Sequence, residues 1–214
     1  NLAGHEQITQ AGGEIPFLIL QGLGLLFEVG SQLLCMGVVA LCMDLVIDEK
    51  RNGVSEWLLS KPVQRRAYIL AKVVAHLAHI LLFLVALPAA AVYGLISIRA
   101  SALYPPLPFL AGLGIMGLNV LFYVTLTILL GVLFNSRAPV LGIAFGSLIG
   151  GTIIGSFIEP LLYITPWMLP KISTLIASSQ QVPGELLWLP VVFTALGSLV
   201  FVLAAVYRFD REAF

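Results

Sequence analysis

Charge is what this chain has least of. Only 10% of its 214 residues are charged, where an ordinary soluble domain carries about 25%. With 59% hydrophobic residues, too little polar surface is left to clothe a soluble core of this size. The composition excludes a disordered chain and a secreted disulfide scaffold, and it identifies an integral membrane protein. Basic and acidic groups cancel at 11 each, so no global field draws in nucleic acid. Cysteine is scarce as well. Cys35 and Cys42 share one apolar run; in a helix they stand about 10 Å apart along the axis, too far for a mutual disulfide. There is also no room for a soluble catalytic domain. Five spans of about 22 residues use half the chain, and the rest is divided among short pieces. Any energy source must therefore come from another chain.

What is present is a series of apolar runs. The first lies within Ile15–Ile47 and carries Glu28, Gln32 and Asp44. It is too long for one perpendicular crossing, which predicts tilt, an extension beyond the bilayer, or a break near Gly22–Gly24. A second runs from Val73 to Ile98 and contains His76, His79 and Pro88. The Pro-rich stretch Arg99–Pro108 leads to a third, Phe109–Phe134. A short polar turn, Asn135 to Ala138, precedes Pro139 and a fourth run ending at Ile158. Leu161–Leu169 is apolar but interrupted by prolines and too short to span, so residues 159–187 are expected to form a re-entrant or interfacial outer segment, with Tyr163 and Trp167 at headgroup level. The fifth run is Trp188–Val206. The expected fold is all-α and polytopic, with residues 1–214 as a single transmembrane domain of five visible helices.

Basic residues orient it. Lys50, Arg51, Lys61, Arg65, Arg66 and Lys72 flank the first connection, Arg137 sits in the third-to-fourth turn, and Arg208 and Arg211 lie in the tail. Five spans put all of these on one side and leave only Arg99 and Lys171 on the other, so the first side is cytoplasmic. The C-terminus is then cytoplasmic and Asn1 outside. An outside start with no signal peptide is awkward. One more leading helix would resolve it, so six spans are expected in a full chain.

Residues 48–72 are the only charge-rich stretch. Val54, Trp57 and Leu58 recur at the spacing of one apolar helical face, with Ser55 and Glu56 on the polar side, and Pro62 ends that short helix. Two readings follow: a loop held on anionic lipid with Trp57 as anchor, or a helix presenting its apolar face to a cytosolic partner. The run Glu49-Lys-Arg-Asn-Gly53-Val-Ser-Glu56-Trp-Leu58-Leu59-Ser60-Lys-Pro62-Val63-Gln-Arg65, followed by Lys72, resembles the first cytoplasmic connection of ABC-2 type permeases. These are the membrane subunits of ATP-binding-cassette transporters. The family pattern is an acidic-basic pair, Gly-Thr, a Glu, Leu-Leu-Ser, Pro-Val and Arg. Here Val54 replaces the Thr, which removes a hydroxyl from the docking face. The resemblance implies a coupling helix built from Glu49, Arg51, Gly53, Val54, Glu56, Trp57, Leu58, Leu59, Pro62 and Arg65. It also implies an ABC ATPase partner, a second permease chain in a homo- or heterodimer, export as the direction, and a cell-membrane location. Six spans are usual in the family, so the visible helices correspond to its second to sixth. The chain contains no Gly-x-x-x-x-Gly-Lys-Ser/Thr loop, so ATP and magnesium are expected on the partner and no cofactor on this chain.

Other signals are weaker. Gly112-Leu-Gly114-Ile-Met-Gly117 copies a dinucleotide fingerprint, but inside an apolar span it reads as close helix packing. Gly142, Gly146 and Gly150 form one small-residue row, and Ser147, Gly151 and Gly155 a second. Such rows pack helices within a subunit or between subunits. Glu28, Gln32 and Asn119 are polar groups within spans. They line a translocation path, or Gln32 and Asn119 bond neighbouring helices while Glu28 lies near a watered mouth. Asp44, near the cytoplasmic end, is expected to pair with a base. His76 and His79 share a face at i, i+3, and Cys35-Met36 and Cys42-Met43 offer soft ligands. They keep open a haem- or metal-binding redox anchor as an alternative, beside a non-transporting scaffold for a cytosolic partner. No nucleophile–base pair is evident, so no catalytic residue is expected.

Overall fold

A computed structural model describes residues 13–44, 47–48 and 65–211. These residues form helices and turns, and no strand occurs among them. Four helices are long and apolar enough to cross a membrane: Glu14–Cys42, Ala67–Arg99, Pro106–Leu133 and Leu186–Phe209. A shorter apolar helix, Arg137–Gly151, lies within Arg137–Phe157. At 21 residues the whole helix is about 32 Å long, enough to cross as the fourth span.

In chain order the elements are α1 (Glu14–Gly24), a π-helical stretch (Leu25–Gly30) and α2 (Ser31–Cys42), which make the first span. Next come α3 (Arg65–His79), a second π-helical stretch (Ile80–Ala86) and α4 (Leu87–Arg99) as the second span. The third span is α5 (Pro106–Leu133) and the fourth α6 (Arg137–Phe157). Two short helices follow, α7 (Glu159–Ile164) and α8 (Leu169–Ala177), before α9 (Gly184–Asp210).

The π turns have local causes. Pro88 has no N–H to donate and its ring crowds the carbonyl one turn back, so the helix widens over Ile80–Ala86, immediately before it. In the first span the helix does not break near Gly22–Gly24; it continues into the wider turn Leu25–Gly30. Gly30 closes that turn, where a Cβ would stand 3.1 Å from the Leu25 carbonyl oxygen. Helices α4 and α8 end alike. Ser101 (φ 51°) and Ser179 (φ 59°) turn left-handed, and the amides of Ala102 and Gln180 reach back to the carbonyls of Ser97 and Leu175.

Helix α5 is the hub. It packs against α9, α8 and α2, while α3 leans on α9 and α1 on α4. Its middle is held by Phe122 against Phe201, ring centroids 5.2 Å apart. Its N-terminal end carries Phe109, which meets Phe27 edge-on at 5.6 Å and Tyr93 at 5.0 Å. The segment before α9 folds back onto this end. Leu169, Ile172, Ser173 and Ala177 of α8 are fully buried, because Gly112 lets the two backbones approach. A Cβ there would lie 2.8 Å from the Ser173 carbonyl oxygen. Tyr104 adds a polar tie, its hydroxyl donating to the Ala177 carbonyl at 2.8 Å. Burial raises the Tyr104 phenol above its ordinary range, so it stays a donor throughout the usual pH interval.

Candidate functional site

Two places gather the polar groups of this apolar chain. The first is the end of the bundle where the charged connection begins. Asp44 and Asp48 lie just past α2, and Arg137 opens α6. Arg137 Nη2 donates to both carboxylate oxygens of Asp48, at 3.0 and 3.1 Å, and its Nε forms an ion pair with Asp44. All three side chains are partly exposed, so the value of this triad is positional rather than energetic. It ties the stem of the 48–72 connection to the start of the fourth span. Asp44 meets the base expected of it. Asp48 as a second partner of Arg137 was not foreseen, and only the spacing of Asp44 and Asp48 on one helical face hints at it. The expected docking residues Glu49, Arg51, Gly53, Val54, Glu56, Trp57, Leu58, Leu59 and Pro62 lie outside the described residues. Arg65 is the first residue of α3.

The second place is midway along the first span. Gln32 Nε2 donates to the Leu148 carbonyl of α6 at 3.3 Å. Asn119 of α5 donates from Nδ2 to Ser31 Oγ at 3.0 Å and approaches Cys35 Sγ at 3.6 Å. Both amides therefore join helices, the use that a polar side chain surrounded by lipid most readily finds. The Asn119 carbonyl oxygen is buried and takes no hydrogen bond from the described residues. Glu28, one turn before Gln32 and within the π-helical stretch, differs. It is exposed, between exposed Leu25, Val29 and Leu33.

The glycine rows of α6 divide. Gly142 and Gly146 face open space, and Gly150 meets only Ile154 of its own helix. Ile143, Ile149 and Ile153 beside them are exposed. Gly151 points inward, where a Cβ would fall inside the Trp167 indole ring. Trp167, expected at headgroup level, is thus a half-buried wedge that locks the folded-back segment to the fourth span. The surroundings of Gly155 lie outside the described residues. Gly112, Gly114 and Gly117 sit in mid-helix, where Gly112 and Gly117 serve close packing against α8 and Leu81.

The histidines bond their own helix. His76 Nδ1 reaches the Lys72 carbonyl at 2.9 Å and His79 Nδ1 the Ala75 carbonyl at 2.8 Å, while the His79 ring stacks on Phe83. Cys35 and Cys42 are both buried and unlinked. No group of three or more potential metal ligands converges among the described residues.

Residues 25–214 match the family model described as ABC-2 family transporter protein. Comparison with curated proteins gives no match.

Proposed function

The chain belongs to the ABC-2 transporter family, and from that premise we propose that it serves an exporter in which a separate ATPase moves its 48–72 connection. Family membership makes it a multi-pass membrane permease subunit of an ABC transporter, and implies an ABC ATPase as partner. The proposal assigns ATPase docking to Glu49, Arg51, Gly53, Val54, Glu56, Trp57, Leu58, Leu59, Pro62 and Arg65. ATP and magnesium are then bound on the partner, and the C-terminus lies in the cytoplasm. Export is the direction that the resemblance of residues 49–72 implies.

The observation that carries the transport route is the exposed Glu28 in the first span. A carboxylate facing lipid at mid-span costs roughly 3 kcal/mol. Gln32, one turn away, touches α6 at the Leu148 carbonyl, and the same helix carries the open glycines Gly142 and Gly146. A second permease chain apposed on both helices would enclose Glu28 in a watered route and fill the glycine row with its own helices. The other nearby polar groups, Gln32 and Asn119, would stiffen that wall.

The test is coexpression and reconstitution with any phosphate-loop ATPase encoded beside it. Trp57→Ala or Glu56→Arg should leave the permease folded and dimeric but cut ATPase copurification and permease-stimulated ATP hydrolysis at least tenfold. Unchanged hydrolysis and copurification in both variants would remove the docking assignment.

A further inference from the structure

An apolar groove runs down the outside of the bundle between the first span and α4. Leu18, Gly22 and Leu25 form one wall and Leu95 and Ile96 the other, around a cavity of about 470 Å³. From Leu18 to Gly30 it follows about 18 Å of helix, slightly more than half of a hydrocarbon core of about 30 Å. Gly22 gives it depth: a Cβ there would be in ordinary contact with Ile96 at 3.7 Å, and without one the wall is recessed. Arg99, the last residue of α4, closes one end. It is exposed, permanently charged, and paired with no acid among the described residues.

On another face of α4 lies a second groove, lined by Ala89, Tyr93, Phe109 and Leu113, of about 370 Å³. It is as apolar as the first and its lining carries no charge. The pair isolates one variable, a guanidinium at the head of an acyl-length trough.

We propose that the Arg99 groove is a binding site for an anionic phospholipid, with the phosphate on the guanidinium and one acyl chain laid along Gly22 and Leu25 toward Gly30. Guanidinium and phosphate match in geometry as well as charge, since two N–H groups can meet two oxygens. A helix from another chain would leave Arg99 buried and unpaired unless it brought an acid to that level. A phospholipid carries its own anion, placed at the depth where a long cation at a span's end snorkels. The Tyr93–Phe109 groove takes acyl chains without regard to headgroup. This reading does not depend on the docking or dimer assignments above.

Native mass spectrometry of the purified full chain, stripped of lipid and titrated with phosphatidylglycerol or phosphatidylcholine of identical acyl chains, tests it. Phosphatidylglycerol should bind one site about tenfold more tightly. Arg99→Gln, an exposed change, should abolish that preference and leave phosphatidylcholine binding unaltered. Gly22→Leu, which fills the trough and keeps the cation, should weaken phosphatidylglycerol at that site, and inorganic phosphate should not displace it. Equal affinity for the two lipids, or a preference unchanged in Arg99→Gln, overturns the proposal. So does competition by inorganic phosphate, which would make Arg99 a simple anion contact, or a Leu95→Cys disulfide between copies in lipid-bound protein, which would make the groove a protein interface.

Discussion

Ala67–Arg99 and Pro106–Leu133 have nearly the same mean hydropathy, 2.3 and 2.1, yet 22% of the former's most apolar window lies buried against 67% of the latter's. Hydropathy tells which helices cross a membrane and says nothing of what they face once there, because lipid tails are as apolar as a protein core. What separates the two is how their small and polar residues are used. In α5, Gly112 admits the α8 backbone and Asn119 bonds across to Ser31. In the second span, Gly94 faces open space, and His76 and His79 bond only their own helix. A glycine filled by a neighbouring backbone and an interhelical polar bond mark the hub, although its Gly114 is as open as Gly94; self-bonded side chains mark the rim.

The strongest way to break this contrast is to fill one glycine in each span. Gly112→Leu must displace the Ser173 carbonyl, Ala177 and Phe27, which stand 2.8, 3.1 and 3.2 Å from where its Cβ would be. A backbone carbonyl cannot swing away as a side-chain end can, so the folded-back segment has to move. Overpacking of this kind should cost roughly 3 kcal/mol, read as a lowered unfolding midpoint in detergent. Gly94→Leu should change the midpoint by less than about 0.5 kcal/mol, as at other uncrowded positions. Equal losses would mean that the rim is crowded after all.

A smaller separation is expected from the polar groups. Asn119→Leu removes the bond to Ser31, for which interhelical bonds in membranes give about 0.6–1.7 kcal/mol. Part is recovered because the Asn119 carbonyl oxygen, buried without a partner among the described residues, is removed with it. A net loss of about 0.5–1 kcal/mol is expected in chemical unfolding. His79→Leu should cost nothing measurable, since its exposed ring stacks on Phe83 and bonds a carbonyl of its own helix.

The same distinction explains what could be read from sequence. The spans were legible because long apolar runs have few alternatives. The expected Val73–Ile98 helix begins earlier, at Arg65, since good helix formers continue the apolar run outward. Asp44's need for a base was legible from its depth. That the base is Arg137, shared with Asp48, was not, because Arg137 lies far along the chain, 89 residues beyond Asp48. The glycine rows of α6 announced close packing without saying on which side. Gly151 meets Trp167 within the chain while Gly142 and Gly146 stay open, and one helix with small residues on two faces has no sequence signal that ranks them. The two π turns follow the same pattern: Pro88 signals one, and Gly30 permits the other without predicting it.

The smallest expected effect is the most informative about the rim itself. Leu82, Phe83 and Leu87 are 58, 56 and 60% exposed, in and just after the second π-helical stretch. In water, such a row would mark a surface waiting to be covered. In a bilayer, an acyl chain takes the place of each truncated side chain in the folded and in the unfolded but inserted state. The transfer term that makes Leu→Ala expensive in a soluble core cancels, and only a cavity in packed protein would leave a cost. Leu82→Ala should therefore shift stability by less than about 0.5 kcal/mol in the isolated chain. The sharper measurement repeats the variant in the assembled transporter. If its cost there rises above about 1 kcal/mol, packed protein covers the rim in the assembly and the 22% burial describes only the separate chain. If it stays negligible, the second span faces lipid in the working complex too, and the contrast with α5 belongs to the transporter and not merely to one subunit.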